Sequence, residues 1–365
     1  VNAEAYRREA DALDARILAA IADPAFDEPA FDALACTIFA HQFRWNAPYA
    51  AYARTLGVSE ATLPQSAADI PAVPAAAFKE AALTTAGVQN AALWFETSGT
   101  TQGRGGKHYL ETSALYDAAL LAGFDRAMLD DGARLRYLHL VPDPRERPHS
   151  SLGHMMAVVA RERGDGHDGW YLHDDALDVE RFVADARAAS AAGIALCVST
   201  TAFALVALLD ELARRGITLT FAPGSRVMET GGFKGRTRIV GREELYARAA
   251  AAFGIAESAI VAEYGMTELS SQYYDSHASR ATRTRVKSWP PWLRPIIVDP
   301  HGRPVAPGIV GAIRHVDCAN RSSVVAIETE DLGALTPAGL VLVGRERGAE
   351  LRGCSLDAET LATRV

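Results

Sequence analysis

Hydrophobic positions in the first sixty residues recur at helical spacing: Leu13, Ile17, Leu18 and Ile21, then Phe31, Leu34, Ile38 and Phe39. Side chains three and four apart share one face of a helix, so this alanine-rich stretch predicts helices with a buried stripe. The Pro/Ala segment 70–77 breaks that pattern and reads as an extended connector. Beyond it, short apolar runs alternate with helical patterns. Residues 91–95 and 135–141 read as strands, and 195–199 precedes a helix over 202–214. A run at 218–222 precedes a helix over 243–253, and 259–261 reads as a buried strand. Such alternation predicts βαβ units and a largely parallel sheet. After Trp289 the texture changes to Pro/Gly turns and short strands at 296–298, 309–315, 324–327 and 340–343. The expected fold is α/β, a large body of mainly parallel sheets and helices plus a small β-rich subdomain. The expected domains are a helical entry module (1–80), an α/β nucleotide-binding body (81–288) and the β-rich part (289–365).

Composition narrows the function classes. The chain has 365 residues, 49% of them apolar, which is enough for a sizeable core and excludes disorder by composition. A net charge of −8 argues against a nucleic-acid or anionic-membrane surface. No apolar run is long enough to span a bilayer and no leader peptide opens the chain, so a cytoplasmic protein is expected. Cys36, Cys197, Cys318 and Cys354 are scattered, without the paired spacing of a zinc site or disulfide framework.

The chemistry begins at Ser98-Gly99-Thr100-Thr101-Gln102-Gly103-Arg104-Gly105-Gly106-Lys107. Glycines let a backbone approach a bulky anion, and successive N–H groups in such a loop form a nest for phosphate oxygens. Threonine hydroxyls add donors, while Arg104 and Lys107 add charge. The spacing is not that of a Walker loop. Two further segments follow in order: Ala262-Glu263-Tyr264-Gly265-Met266-Thr267-Glu268, and Glu328-Thr329-Glu330-Asp331-Leu332-Gly333 leading to Gly344-Arg345.

These three together resemble the adenylate-forming superfamily, the enzymes that join a carboxylate to AMP. The likeness is closer to its acyl-protein synthetase, LuxE-like branch. Segments carrying that likeness include His41-Gln42-Phe43-Arg44-Trp45-Asn46, Thr230-Gly231-Gly232-Phe233-Lys234-Gly235-Arg236 and Leu351-Arg352-Gly353-Cys354-Ser355-Leu356. The resemblance implies an ATP- and Mg²⁺-dependent activation of a carboxylic acid, a fatty acid being favoured, and transfer of the acyl group to a thiol. An aryl-acid adenylating enzyme and a catalytically silent nucleotide-binding protein are the alternatives. An acyl-accepting reductase or carrier protein is the implied partner.

Roles follow residue by residue from the resemblance. Ser98, Gly99, Thr100, Thr101 and Gly103 would cradle the triphosphate, with Lys107 as its cation. Thr267 would contact the α-phosphate and Glu268 would ligate Mg²⁺, an ion that takes hard oxygen ligands. Gly231 and Gly232 would pass adenine close to the backbone, beside Tyr264 and Gly265. Asp331 would accept the ribose hydroxyls, and Arg345 would reach the ribose–phosphate. Cys354, flanked by Arg347 and Arg352, would carry the acyl group, since neighbouring cations favour thiolate. The bland alternatives are a turn-capping Asp331, a helix-starting Thr267-Glu268 pair and a buried, inert Cys354. His108, His154, Ser150-Ser151-Leu152 and Thr200-Thr201 are candidates to line the acid pocket. Only 346–365 follow the Gly-Arg pair, so the chain is expected to lack the superfamily's lid domain, as the branch does.

Overall fold

The alanine-rich start forms three helices: α1 (Ala3–Ala22), α2 (Glu28–Trp45) and α3 (Ala47–Thr55). The computed structural model describes residues 3–97, 105–174, 176–231 and 241–345. Leu13, Ile17, Ile21, Phe31, Leu34, Ile38 and Phe39 are buried, as their spacing predicts. Leu18 is not; it lies next to Ile17 in sequence, about 100° around the helix from the stripe, and is exposed. Helix α2 begins at Asp27, whose carboxylate accepts the Ala30 N–H at 3.0 Å. Asn46 both ends α2 and caps α3, accepting the Tyr49 N–H at 3.2 Å. Each cap satisfies a backbone donor that a helix start leaves open.

The connector carries β1 (Val73–Pro74) and α4 (Ala77–Glu80). A two-stranded antiparallel sheet follows, β2 (Leu93–Glu96) with β3 (Lys107–Leu110), and then helix α5 (Ala114–Met128). Two compact units emerge: Val1–Ala122 with Met266–Gln272 and Trp289–Val365, and Gly123–Gly265 with Tyr273–Ser288.

The second unit holds β4 (Arg136–Pro142), α6 (Ser151–Arg163), β5 (Gly169–His173), β6 (Ala176–Leu177), α7 (Val179–Ala191) and β7 (Leu196–Thr201). It continues with α8 (Ala202–Arg214), β8 (Arg226–Thr230), α9 (Arg242–Phe253), β9 (Ile260–Tyr264), β10 (Tyr273–Asp275) and β11 (Lys287–Ser288). Its strand order is β6-β5-β4-β7-β8-β9-β10-β11, and β5-β4-β7-β8-β9 run parallel. Leu138, Val198, Val227 and Ile260 lie in one register row across four strands and are fully buried. They share a core with Phe182, Leu205, Leu209 and Phe253 from α7, α8 and α9. Burying each such side chain contributes about 1.5–3 kcal/mol, which is what holds helices to this face.

One predicted strand is absent. Residues 218–222 stay outside the sheet because their donors go elsewhere: Leu219 N–H bonds Ala252 O at 2.8 Å and Phe221 N–H bonds Phe253 O at 2.9 Å, at the end of α9. The sheet takes β8 instead. Its sequence, Arg-Val-Met-Glu-Thr, alternates too weakly to be read as a strand.

In the first unit, β12 (Leu293–Val298), β13 (Gly311–Asp317), β14 (Ala326–Thr336) and β15 (Gly339–Arg345) form an antiparallel meander. Strand β1 adds to it in parallel, Val73 opposite Ile327. The whole is the mixed α/β fold expected, mainly parallel in one unit and β-rich beyond Trp289.

Candidate functional site

The glycine-rich loop springs from the β2–β3 hairpin. Its base is closed by Thr97 N–H to Gly106 O at 2.9 Å and Gly106 N–H to Thr97 Oγ1 at 2.7 Å. Glycine is required at Gly105, where a Cβ would stand 2.6 Å from Thr97 O, and a Cβ on Gly106 would press on the Phe78 backbone at 3.0 Å. Ser98, Gly99, Thr100, Thr101, Gly103 and Arg104 lie outside the described residues. Lys107 opens β3, half-exposed, with Nζ 3.6 Å from Glu96 Oε1 and 5.5 Å from the Trp94 ring centre.

Thr267 and Glu268 form a turn after β9, and no helix follows, so the helix-start alternative is corrected. Their backbone is held within the first unit. His108 Nδ1 donates to Thr267 O at 2.8 Å, and Asn320 Nδ2 donates to Glu268 O at 2.9 Å. Farther along the same turn, Asp317 accepts the N–H groups of Ser270 and Ser271 at 2.9 and 2.8 Å. Glu268 is itself largely buried. Among the described residues no three His, Cys, Asp or Glu side chains group as a metal cage. One hard carboxylate supplemented by substrate phosphates is how Mg²⁺ is commonly held, so Glu268 fits the ion.

Asp331 sits within β14, its backbone in register with Arg345 of β15, and not at a turn. The strand irregularity follows at once, between Leu332 and Gly333. Asp331's charge acts on His315 of the neighbouring β13; burial pushes that imidazole down to about 4, and the carboxylate only partly opposes it.

In the second unit the predicted residues gather at the carboxyl ends of parallel strands, where open α/β sheets place ligands. Gly231 follows β8 with φ +77°, a conformation that favours glycine. Tyr264 ends β9 with its ring 5.6 Å from that of Tyr273, and Gly265 comes next. Thr230 and Glu263 are register partners, the threonine hydroxyl donating to the carboxylate. Gly232, Lys234 and Arg236 lie outside the described residues, as does Cys354; of Arg345 only the strand position is described.

Several acid-pocket candidates are held by hydrogen bonds to nearby backbone or side chains. Ser150 caps α6 by accepting Gly153 N–H at 3.1 Å, and Thr201 caps α8 by accepting Ala204 N–H at 3.1 Å. His108 is fully buried and bonds Thr267 and Asn320. Asn320 and Asp317 escaped the sequence reading altogether. The run Asp317-Cys318-Ala319-Asn320-Arg321 carries no spacing that marks a site.

A family model described as acyl-protein synthetase, LuxE, matches residues 9–361. No curated protein matches the sequence. Among solved structures, an open form of 2-hydroxyisobutyryl-CoA ligase in complex with 2-HIB-AMP and CoA aligns with TM-score 0.63 at 14% identity. That alignment covers 85% of this chain and 73% of that one. McyG A-PCP complexed with phenylalanyl-adenylate aligns with TM-score 0.50 at 17% identity, over 71% of this chain and 48% of that one. ATP-bound MatB from Rhodopseudomonas palustris gives TM-score 0.50 at 17% identity, over 71% and 49%. The chain thus spans about half the length of those last two proteins, and the likeness is one of fold.

Proposed function

This chain belongs to the acyl-protein synthetase, LuxE family, and we propose that it activates a carboxylic acid with ATP and passes the acyl group to a thiol. The family match over nearly the whole chain carries the reading. In the first step a carboxylate oxygen bonds the α-phosphorus and the bond to pyrophosphate breaks. No protein base is needed, because the acid is ionised at neutral pH. In the second step a thiolate attacks the acyl carbon, its bond to the phosphate oxygen breaks, and AMP leaves.

The protein's part is positioning and charge neutralisation. Thr267 would hold the α-phosphate, Asp331 the ribose, Tyr264 and Gly231 the adenine, and Lys107 with 98–103 the triphosphate. Glu268 would hold Mg²⁺, which when bound draws charge from the phosphate oxygens. A fatty acid is the favoured substrate, an aromatic acid the competitor, and Cys354 the proposed acyl carrier before a reductase or carrier protein. Among the described residues no helix is long and apolar enough to cross a membrane.

Acid-dependent ATP–pyrophosphate exchange over a panel of fatty and aromatic acids tests this. Exchange with one class establishes adenylation and identifies the acid. ATP binding without exchange on any acid would leave the silent nucleotide-binding alternative.

A further inference from the structure

The carbonyls of Thr267 and Glu268 point at two side chains to which the adenylation reading gives no role. His108 Nδ1 and Asn320 Nδ2 donate to them at 2.8 and 2.9 Å, and the two side chains meet, His108 Nε2 lying 2.8 Å from Asn320 Oδ1. Both residues are fully buried. A carbonyl only accepts, so the Glu268 contact turns the Asn320 amide oxygen toward His108 and the Thr267 contact fixes a proton on His108 Nδ1. Nε2 then also faces an oxygen, and both ring contacts are made at once only when Nε2 carries a proton too. Burial pushes the His108 pKa down, and the two oxygen contacts oppose that.

The pair is anchored at its far side too. The Phe78 ring stands edge-on to His108, centroids 5.9 Å apart and planes at 89°. Asn320 N–H bonds Asp317 O at 3.0 Å, and Gln42 Nε2 donates to Asn320 O at 2.8 Å. His108 also follows Lys107 directly, so the strand that carries the glycine-rich loop reaches the turn bearing Thr267.

We propose that His108 and Asn320 are a positioning pair for adenylation, fixing two consecutive carbonyls so that the Thr267 hydroxyl and Glu268 carboxylate are set before nucleotide binds. The proposal rests on the adenylation reading. Its physical basis is that donors for a reacting phosphate work only when held in place beforehand; a misplacement of about 1 Å costs roughly 100-fold in rate.

The full chain carrying His108→Ala, His108→Asn, His108→Gln or Asn320→Ala tests it, by pyrophosphate-exchange kinetics, thermal unfolding and amide hydrogen exchange over 266–272. His108→Ala should cut kcat about 10- to 100-fold with KM for ATP within about threefold, and speed amide exchange in that segment. His108→Asn keeps a donor at the place of Nδ1 and should recover more of kcat than His108→Gln, whose amide reaches only toward Asn320. Asn320→Ala should match His108→Ala. Unchanged kcat with a loosened segment would overturn the proposal, as would a rise in KM alone. A loss of activity that tracks thermal stability with no difference between Asn and Gln would assign the pair a merely structural role. If the wild-type chain shows no exchange with any acid, the adenylation reading and this role fall together. Pyrophosphate exchange in the wild type together with unchanged amide exchange over 266–272 in His108→Ala would overturn the positioning role alone and leave the adenylation reading standing.

Discussion

Asp317 accepts the Ser271 hydroxyl at 2.8 Å, and the same carboxylate takes the N–H groups of Ser270, Ser271 and Ala319 at 2.8–3.0 Å. One buried acid therefore organises the far end of the turn that begins with Thr267. Trp292 Nε1 completes the arrangement by donating to Ser271 Oγ at 3.1 Å, which makes the Trp289–Trp292 corner part of the same support. Asp317→Ala leaves several buried donors without an acceptor and should lower unfolding free energy by about 2–4 kcal/mol in urea titration. Asp317→Asn keeps one accepting oxygen and should lose less. A loss below about 0.5 kcal/mol for the alanine variant would show that water replaces the carboxylate at no cost.

Buried histidines set the response to acid. Burial pushes His139 down to about 3 and His315 to about 4. Below an unfolded value of about 6.5 the unfolded chain binds protons on both while the folded chain does not. Each then removes about 1.4 kcal/mol of stability per pH unit as pH falls, until its folded pKa is reached. Asp317, raised by burial to about 6, works in the other direction: between about 6 and 4 the folded chain protonates first, which partly offsets the loss. Both ring nitrogens of His139 lack a hydrogen-bond partner among the described residues, and the ring stacks 4.2 Å from Trp170 and 5.9 Å from Tyr137. Phenylalanine matches that slot in shape. His139→Phe should gain about 1 kcal/mol at pH 7 and flatten the decline between pH 6.5 and 5. Denaturant titrations at three pH values measure both, and a slope equal to wild type would contradict the assignment.

Asp275 and Lys287 make a buried ion pair at 2.9 Å, with Arg285 on the other carboxylate oxygen at 3.0 Å. Burial alone would raise the Asp275 pKa, yet the Lys287 charge and the Ala262 N–H hold it below the ordinary carboxylate range. Removing one partner strands a buried charge. Asp275→Ala should cost about 3–5 kcal/mol, and the Asp275→Leu, Lys287→Met double variant much less than the two single losses added. Additive losses in a double-mutant cycle would mean the two charges are not coupled.

Periodicity found what packing decides locally. Helix α8 occupies the residues its pattern marks, because a continuous apolar face from Leu205 to Leu212 meets one core. Strand character misled where apolar residues pack without pairing: Leu219 and Phe221 are buried, but their N–H groups close the end of α9. The site divides in the same way. Gly231, Tyr264, Thr267, Glu268 and Asp331 stand out because their neighbours form recognisable short motifs. Asn320 and Asp317 do not, and His108 stands out only as a pocket candidate, since all three bond carbonyls and amides far away in sequence. His108 and Thr267 are 159 positions apart, and no local pattern encodes that contact.

The thiol step of the proposed function calls for a cysteine that can ionise. Burial pushes Cys36 to about 11 and Cys197 to about 12, and raises Cys318 as well. A thiol held that high has almost no thiolate at neutral pH and makes a poor acyl acceptor. Under the proposed function Cys354, in the Arg352-Gly353-Cys354-Ser355 motif, is the acceptor proposed within this chain. Cys354→Ser should therefore leave acid-dependent pyrophosphate exchange within about twofold while abolishing hydroxylamine-sensitive labelling by radioactive acid. Cys36→Ser and Cys318→Ser should leave labelling intact. Labelling that survives Cys354→Ser would move the acceptor to another nucleophile of this chain, and a wild-type chain that exchanges pyrophosphate but takes no label would move it to a partner protein or a small thiol.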